Sequence, residues 1–126
     1  MKLQLAAEYI LEELKQLKSK PKFQELIKRN IQVIIYDKTQ TKEFWTGKAT
    51  QAALDSGKKL NRCSKEHWYG LTQLALDIIE MENPTKEKIL NQIRTKGTFN
   101  YTTSEENRIL KHNNQNYAMV SELVHP

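Results

Sequence analysis

Cys63-Ser64-Lys65-Glu66-His67-Trp68-Tyr69-Gly70 joins two kinds of chain. Extended, basic sequence runs into it, and an apolar pattern at helical spacing runs out of it. It holds the only cysteine, one of three histidines and one of two tryptophans. Ser64 has the side chain of a good N-cap, and Leu71, Leu74, Ala75, Ile78 and Ile79 repeat at helical spacing. The spacing predicts a central helix over residues 65–82, with Glu66 and His67 in its first turn. Free backbone amides and the positive end of the dipole favour anions there and discourage protonation of an imidazole. A neutral imidazole is what a general base or a metal ligand requires.

Upstream, Leu3, Ala6, Ala7, Ile10, Leu11, Leu14 and Leu17 form the apolar stripe of an amphipathic helix over residues 3–19. Pro21 suits the first turn of a second helix carrying Phe23, Leu26 and Ile27, closed by Arg29-Asn30. Ile31-Gln32-Val33-Ile34-Ile35-Tyr36 is β-branched, short and bounded by polar residues, and reads as a buried strand. A turn over residues 37–41 returns it to Glu43-Phe44-Trp45-Thr46 as a hairpin, which Trp45 anchors. Ala49–Leu54 is a short helix stopped by Gly57. Lys48, Lys58, Lys59 and Arg62 make the densest basic stretch ahead of the Glu-His pair, either a solvated loop or a surface for a polyanion.

Downstream, Asn83-Pro84 ends the central helix. Thr85 caps another, which carries Ile89, Leu90 and Ile93 and stops at Gly97. Thr98–Thr102 alternates as a strand. Thr103-Ser104-Glu105-Glu106 is a capping box, so a helix starts at Ser104 and reaches about His112. Residues 112–116 are a polar break, and Tyr117, Val120, Leu123 and Val124 form a short packed end. The expectation is an α+β fold: one mostly helical domain, 1–126, with a small antiparallel hairpin or sheet. Within it, 1–30 is a helical N-terminal part and 113–126 a C-terminal segment.

A chain of 126 residues suits one domain and needs no disulfide or metal to fold. A single cysteine fits a reducing compartment, and no signal peptide or long apolar run is evident, so a cytoplasmic protein is expected. Twenty Lys+Arg against fifteen Asp+Glu leave +5, a balance that suits nucleic acid. There is no Walker loop, no Gly-rich dinucleotide turn and no paired Cys ligand set. Cys63 with His67 lacks a third member for nucleophilic catalysis, and a lone Cys is more often a small buried hydrophobe.

Glu66 and His67 carry the sharper possibility. A carboxylate-His pair at a strand end, followed by a strand and a helix bearing Asn107, supplies oxygen and nitrogen ligands for one divalent ion. The imidazole would deprotonate water while the metal offsets charge on a phosphate. His112, five residues beyond Asn107, points away from the same helical face. The bland alternatives stand beside this: His67 as a cap or surface residue, Asn107 as support for its own turn, Trp68 and Tyr69 as partly buried packing residues.

Arg62-Cys63-Ser64-Lys65-Glu66-His67 and Thr102-Thr103-Ser104-Glu105-Glu106-Asn107-Arg108-Ile109-Leu110 together resemble small phage-type HNH (His-Me finger) endonucleases. Those place an acidic-His pair at a strand end and later a Thr-x-x-Glu-Asn helix start. The resemblance covers roughly residues 45–112 and makes 31–112 a nuclease-like core. It implies His67 as general base, Glu66 as a supporting or metal-binding carboxylate and Asn107 as orienter or ligand, with His112 as a further candidate. The cofactor would be Mg²⁺ or another divalent metal. The substrate would be DNA, held by Lys48, Lys58, Lys59, Arg62, Lys65 and Trp68. Between His67 and Asn107 this chain has two helical stretches where the compact motif has a short loop. Two other classes remain: a non-catalytic DNA-binding protein of a phage or mobile element, and a protein-interaction domain using the stripe of residues 3–17.

Overall fold

The computed structural model describes residues 2–126. The fold class is α+β, mostly helical, with one small sheet. Contacts gather the chain into two units. One is the described chain up to Gln40 together with Gly70–Gly97, and the other is Thr41–Tyr69 with Thr98–Pro126.

The first unit is all helical. Helix α1 (Leu3–Ser19) packs on α2 (Gln24–Lys38) and α5 (Lys86–Lys96), and α4 (Leu71–Ile79) packs on α2 and α5. Ala6, Ala7, Ile10 and Leu14 of α1 face Ile27, Ile31 and Ile35 of α2, Leu74, Ala75 and Ile78 of α4, and Ile89, Leu90 and Ile93 of α5 in its core. Helix α5 starts where Thr85 Oγ1 accepts the Lys88 amide at 3.2 Å and ends at Gly97. A Cβ at Gly97 would lie 2.4 Å from the Ile93 carbonyl oxygen and 2.8 Å from Thr39 Cγ2. Only glycine lets the chain leave α5 that close to the buried Thr39.

The expected strand over Ile31–Tyr36 and its hairpin are absent. A 3-10 turn at Pro21–Phe23 runs into α2, which continues through all six residues. Ile27, Ile31 and Ile35 recur every four residues and are buried, whereas Val33 and Tyr36 are exposed. β-Branched residues cost a helix only tenths of a kcal/mol each, and burying three isoleucines outweighs that. A strand would put Ile31, Val33 and Ile35 on one face, so two substitutions separate the geometries. Val33→Lys should leave stability within about 0.5 kcal/mol, while Ile31→Ala should cost about 2–5 kcal/mol in denaturant unfolding. A large loss from Val33→Lys would restore the strand.

The second unit holds the sheet, in the order β2-β3-β1-β4. Strand β1 (Trp45–Thr50) follows a 3-10 turn at Lys42–Phe44, β2 is Ser64–His67, β3 is Phe99–Thr102 and β4 is Leu123–Val124. β3 pairs antiparallel with β2 and parallel with β1, and β4 pairs antiparallel with β1, so the sheet is mixed. The expected Ala49–Leu54 helix is shorter: α3 (Gln51–Asp55) is capped by Thr50, whose side chain accepts the Ala53 amide. Helix α6 (Ser104–His112) starts at the expected capping box.

Glu66 and His67 end β2 instead of opening a helix. The apolar period starts at Leu71, and Gly70, with φ 85°, turns the chain into α4. The dipole argument for His67 therefore does not apply. The two helical stretches expected between His67 and Asn107 are α4 and α5, both in the first unit. What they leave behind in the second unit is an antiparallel pair, β2 and β3, followed directly by α6.

Candidate active site

Side chains alternate between the faces of a strand, and the register of the sheet sorts them into two sets. His67 lies opposite Phe99 and Lys65 opposite Tyr101. These join Trp45 in an aromatic face, with ring centroids 5.6 Å apart for His67–Phe99 and 5.4 Å for both Phe99–Tyr101 and Trp45–Tyr101. The Lys65 ammonium stands 5.4 Å from the Phe99 centroid. Glu66 lies opposite Asn100 and Ser64 opposite Thr102, and with Thr46 and Thr50 of β1 they make a polar face.

Helix α6 covers the polar face. The Ser64 and Ser104 hydroxyls are 3.3 Å apart, and Thr50 Oγ1 donates to Glu106 Oε1. Thr103 Oγ1 accepts the Glu106 amide at 3.1 Å and Glu106 Oε1 accepts the Thr103 amide at 3.0 Å, which fixes the first turn. Glu106 Oε2 also accepts from the amide and hydroxyl of Ser121. Burial alone would raise the Glu106 pKa, but the bonds from Ser121, Thr50 and Thr103 outweigh it and hold the carboxyl below its ordinary range.

Asn107 follows Glu106, and its Oδ1 is buried with no hydrogen-bond partner. Glu66, 3% exposed, has a buried Oε1 that also lacks one. Burial pushes the Glu66 carboxyl up to about 7, partly opposed by the Lys111 ammonium. Ser104, Asn107 and Lys111 recur along one side of α6, and Ser104 stands against Ser64, which shares its face of β2 with Glu66. Buried polar atoms are rarely left unpaired, because each one costs about 1–3 kcal/mol. Two unpartnered acceptor oxygens, one on the strand and one on the helix that covers it, suit a cation.

Sequence reasoning missed what surrounds this pair. Asn100 lies opposite Glu66, accepts from the Thr46 hydroxyl and donates through Nδ2 to the Tyr117 hydroxyl oxygen at 3.1 Å. The Tyr117 hydroxyl is pushed well above its ordinary pKa by burial, with the Asn100 bond opposing and the Glu66 and Glu106 carboxylates adding to the rise. Strand alternation alone could have singled out Asn100, flanked as it is by Phe99 and Tyr101. Nothing local marks Tyr117 or Lys111.

The four expected ligands do not converge. Glu66 and Asn107 share the polar face, while His67 points to the aromatic face and His112 is exposed in the last turn of α6. Among the described residues no three His, Cys, Asp or Glu side chains gather as a metal cluster. The basic residues fare differently. Lys48, Lys58, Lys59 and Arg62 are exposed. None of the ion pairs seen among the described residues includes these four cations. Trp68 is 41% exposed. The Cys63 thiol donates to the Lys59 carbonyl at 3.7 Å. No helix among the described residues is long and apolar enough to cross a membrane. Compared with known protein families, curated proteins and solved structures, the chain matches none.

Proposed function

We propose that this protein hydrolyses phosphodiester bonds in DNA, using a divalent metal held by Glu66 and Asn107. One observation carries the reading: Glu66 Oε1 and Asn107 Oδ1 are both buried and both without a partner. Hard oxygen donors fit Mg²⁺, which binds through one or two carboxylates and leaves its other positions to water and substrate phosphate. Bound there, the metal would polarise the phosphate and offset the charge that builds on it in the transition state.

The chain supplies the rest. Glu66, ionised, and the Asn107 carbonyl oxygen hold the cation, and the capping box sets the turn from which Asn107 projects. His67 projects from the opposite face of β2, so in this reading the proton of the attacking water passes to solvent and not to the imidazole. Lys48, Lys58, Lys59, Arg62 and Lys65 hold the DNA backbone. His67→Ala should leave nicking within about tenfold of the parent, and a fall of about 10²–10⁴-fold with DNA binding intact in a mobility-shift assay would make the imidazole the base.

A second reading, a DNA-binding protein without turnover, draws on one fact: the His67 ring is buried, 8% exposed, against Phe99. Steeply salt-dependent DNA binding, with no cleavage in Mg²⁺, Mn²⁺ or Ni²⁺, would select it.

A further inference from the structure

Trp68 follows His67 directly, and its indole is held rather than loose. Nε1–H donates to Thr98 Oγ1 at 2.7 Å, tying together the two chain ends at which β2 leaves the sheet and β3 returns to it. Tyr69 meets the indole edge-on, with centroids 5.7 Å apart and planes inclined at 73°. The residue nevertheless remains 41% exposed. Trp45, by contrast, is packed against Tyr101. An ordered, part-exposed indole that follows a strand preceded by exposed cations suits something flat and attached to negative charge.

We infer that Trp68 is a stacking platform for an unpaired nucleobase, and that the substrate is single-stranded or locally unpaired DNA. This rests on the nuclease reading for the identity of the polymer. In a duplex the faces of the bases are stacked on one another, so only edges and backbone are open to a protein. A free indole face gains a base only where a base is unstacked. The cations fit the same path. Arg62, Lys59 and Lys58 precede β2 and Trp68 follows it, so a four-residue strand, about 13 Å long, separates backbone-holding charge from the platform.

The test uses the tryptophan itself. In Trp45→Phe, Trp68 is the one indole left, and EDTA removes metal so that no bond is cut. A single-stranded oligonucleotide should quench its fluorescence at about tenfold or more lower concentration than the matching duplex. In the otherwise natural chain, Trp68→Ala should weaken single-strand binding by about tenfold and leave duplex binding within about twofold. Trp68→Phe should recover most of the loss, because it keeps a flat ring. Equal quenching by both DNA forms, no quenching by either, or unchanged single-strand binding in Trp68→Ala would each overturn the inference. None of these readouts needs catalysis. Strand-selective quenching in a protein that never cuts would sink the nuclease reading alone, and cutting without that quenching would sink this inference alone.

Discussion

Glu66→Gln is expected to abolish metal-dependent DNA cleavage and, without metal at pH 8, to make the protein harder to unfold. The two effects have one cause. Glu66 is buried with an unpartnered oxygen, and its carboxyl is pushed up to about 7 by burial. An ordinary glutamate in the unfolded chain ionises near 4.5. Between those values the unfolded state gives up its proton while the native state keeps it, so stability falls as pH rises through the window. A shift of that size amounts to about 3 kcal/mol by pH 8. Glutamine is neutral at every pH and escapes the loss. The variant should therefore melt about 5 °C or more above the parent at pH 8 and within a degree or two of it near pH 4.5, where both side chains are uncharged.

Activity should move the other way. Glutamine keeps an oxygen but not the charge, and cleavage should fall by at least about a hundredfold. Mg²⁺ should raise the melting temperature of the parent at pH 8, because a bound cation relieves the buried charge. It should do little for the variant, and little for the parent at pH 5.5, where Glu66 carries a proton. A carboxylate that merely packs would show no metal effect on melting, and a variant that loses stability at pH 8 would mean Glu66 has a partner that glutamine cannot serve.

Parts of this site were legible in the sequence, and the reason is local chemistry. Thr103 and Glu106 sit three residues apart and satisfy each other's backbone groups, a relation that needs nothing from the rest of the chain. The same holds for Thr85 and Gly97 around α5, and for alternation in Phe99–Thr102. Such short-range devices are enough to place Asn107 in the first turns of α6.

The failures share a different cause. Ile31–Tyr36 has the composition of a strand, but it packs against two other helices, α1 and α4, and the spacing of Ile27, Ile31 and Ile35 decided the outcome. Ser64 has the side chain of an N-cap, yet seven residues separate it from the start of the apolar period at Leu71, and Gly70 stands between them. Reading β2 as a helix put Glu66 and His67 side by side on one surface. As a strand it sends them to opposite faces, with Glu66 on the polar face under α6 and His67 among aromatic rings. Asn100 and Tyr117 meet across 17 residues, and Thr46 and Asn100 across 54. No periodicity reports such pairs.

Glu106→Gln should be the most destabilising conservative change in the sheet unit. The carboxylate accepts from the Thr50 hydroxyl, the Thr103 amide, and both the amide and hydroxyl of Ser121. Glutamine offers one acceptor oxygen and replaces the other with an NH₂ donor, so donors that met a carboxylate now face a donor. Leaving two of them unsatisfied in a buried site costs about 2–4 kcal/mol. The damage should spread along two routes. Ser121 also accepts the Ala52 amide, and Glu122 accepts the Gln51 amide at 2.8 Å, so the strap that brings β4 to β1 loosens. The first turn of α6 loosens too, which shifts Asn107 and should weaken Mg²⁺ binding although Glu106 is no ligand.

The pH dependence is opposite in sign to that of Glu66. Glu106 is held below its ordinary range in the native state, so its contribution is fully present above about 4.5 and is lost as pH falls through the lower native value. Acid therefore removes the Glu106 latch, and base imposes the Glu66 charge. The metal-free protein should be most stable on the acid side of neutrality, between those two titrations. Saturating Mg²⁺ should move that maximum toward neutral pH by relieving Glu66 alone. Guanidinium unfolding across pH 3–8, with and without Mg²⁺, reads both limbs. A maximum that stays in place when metal is added would separate Glu66 from the cation and leave the sheet's polar face as structure only.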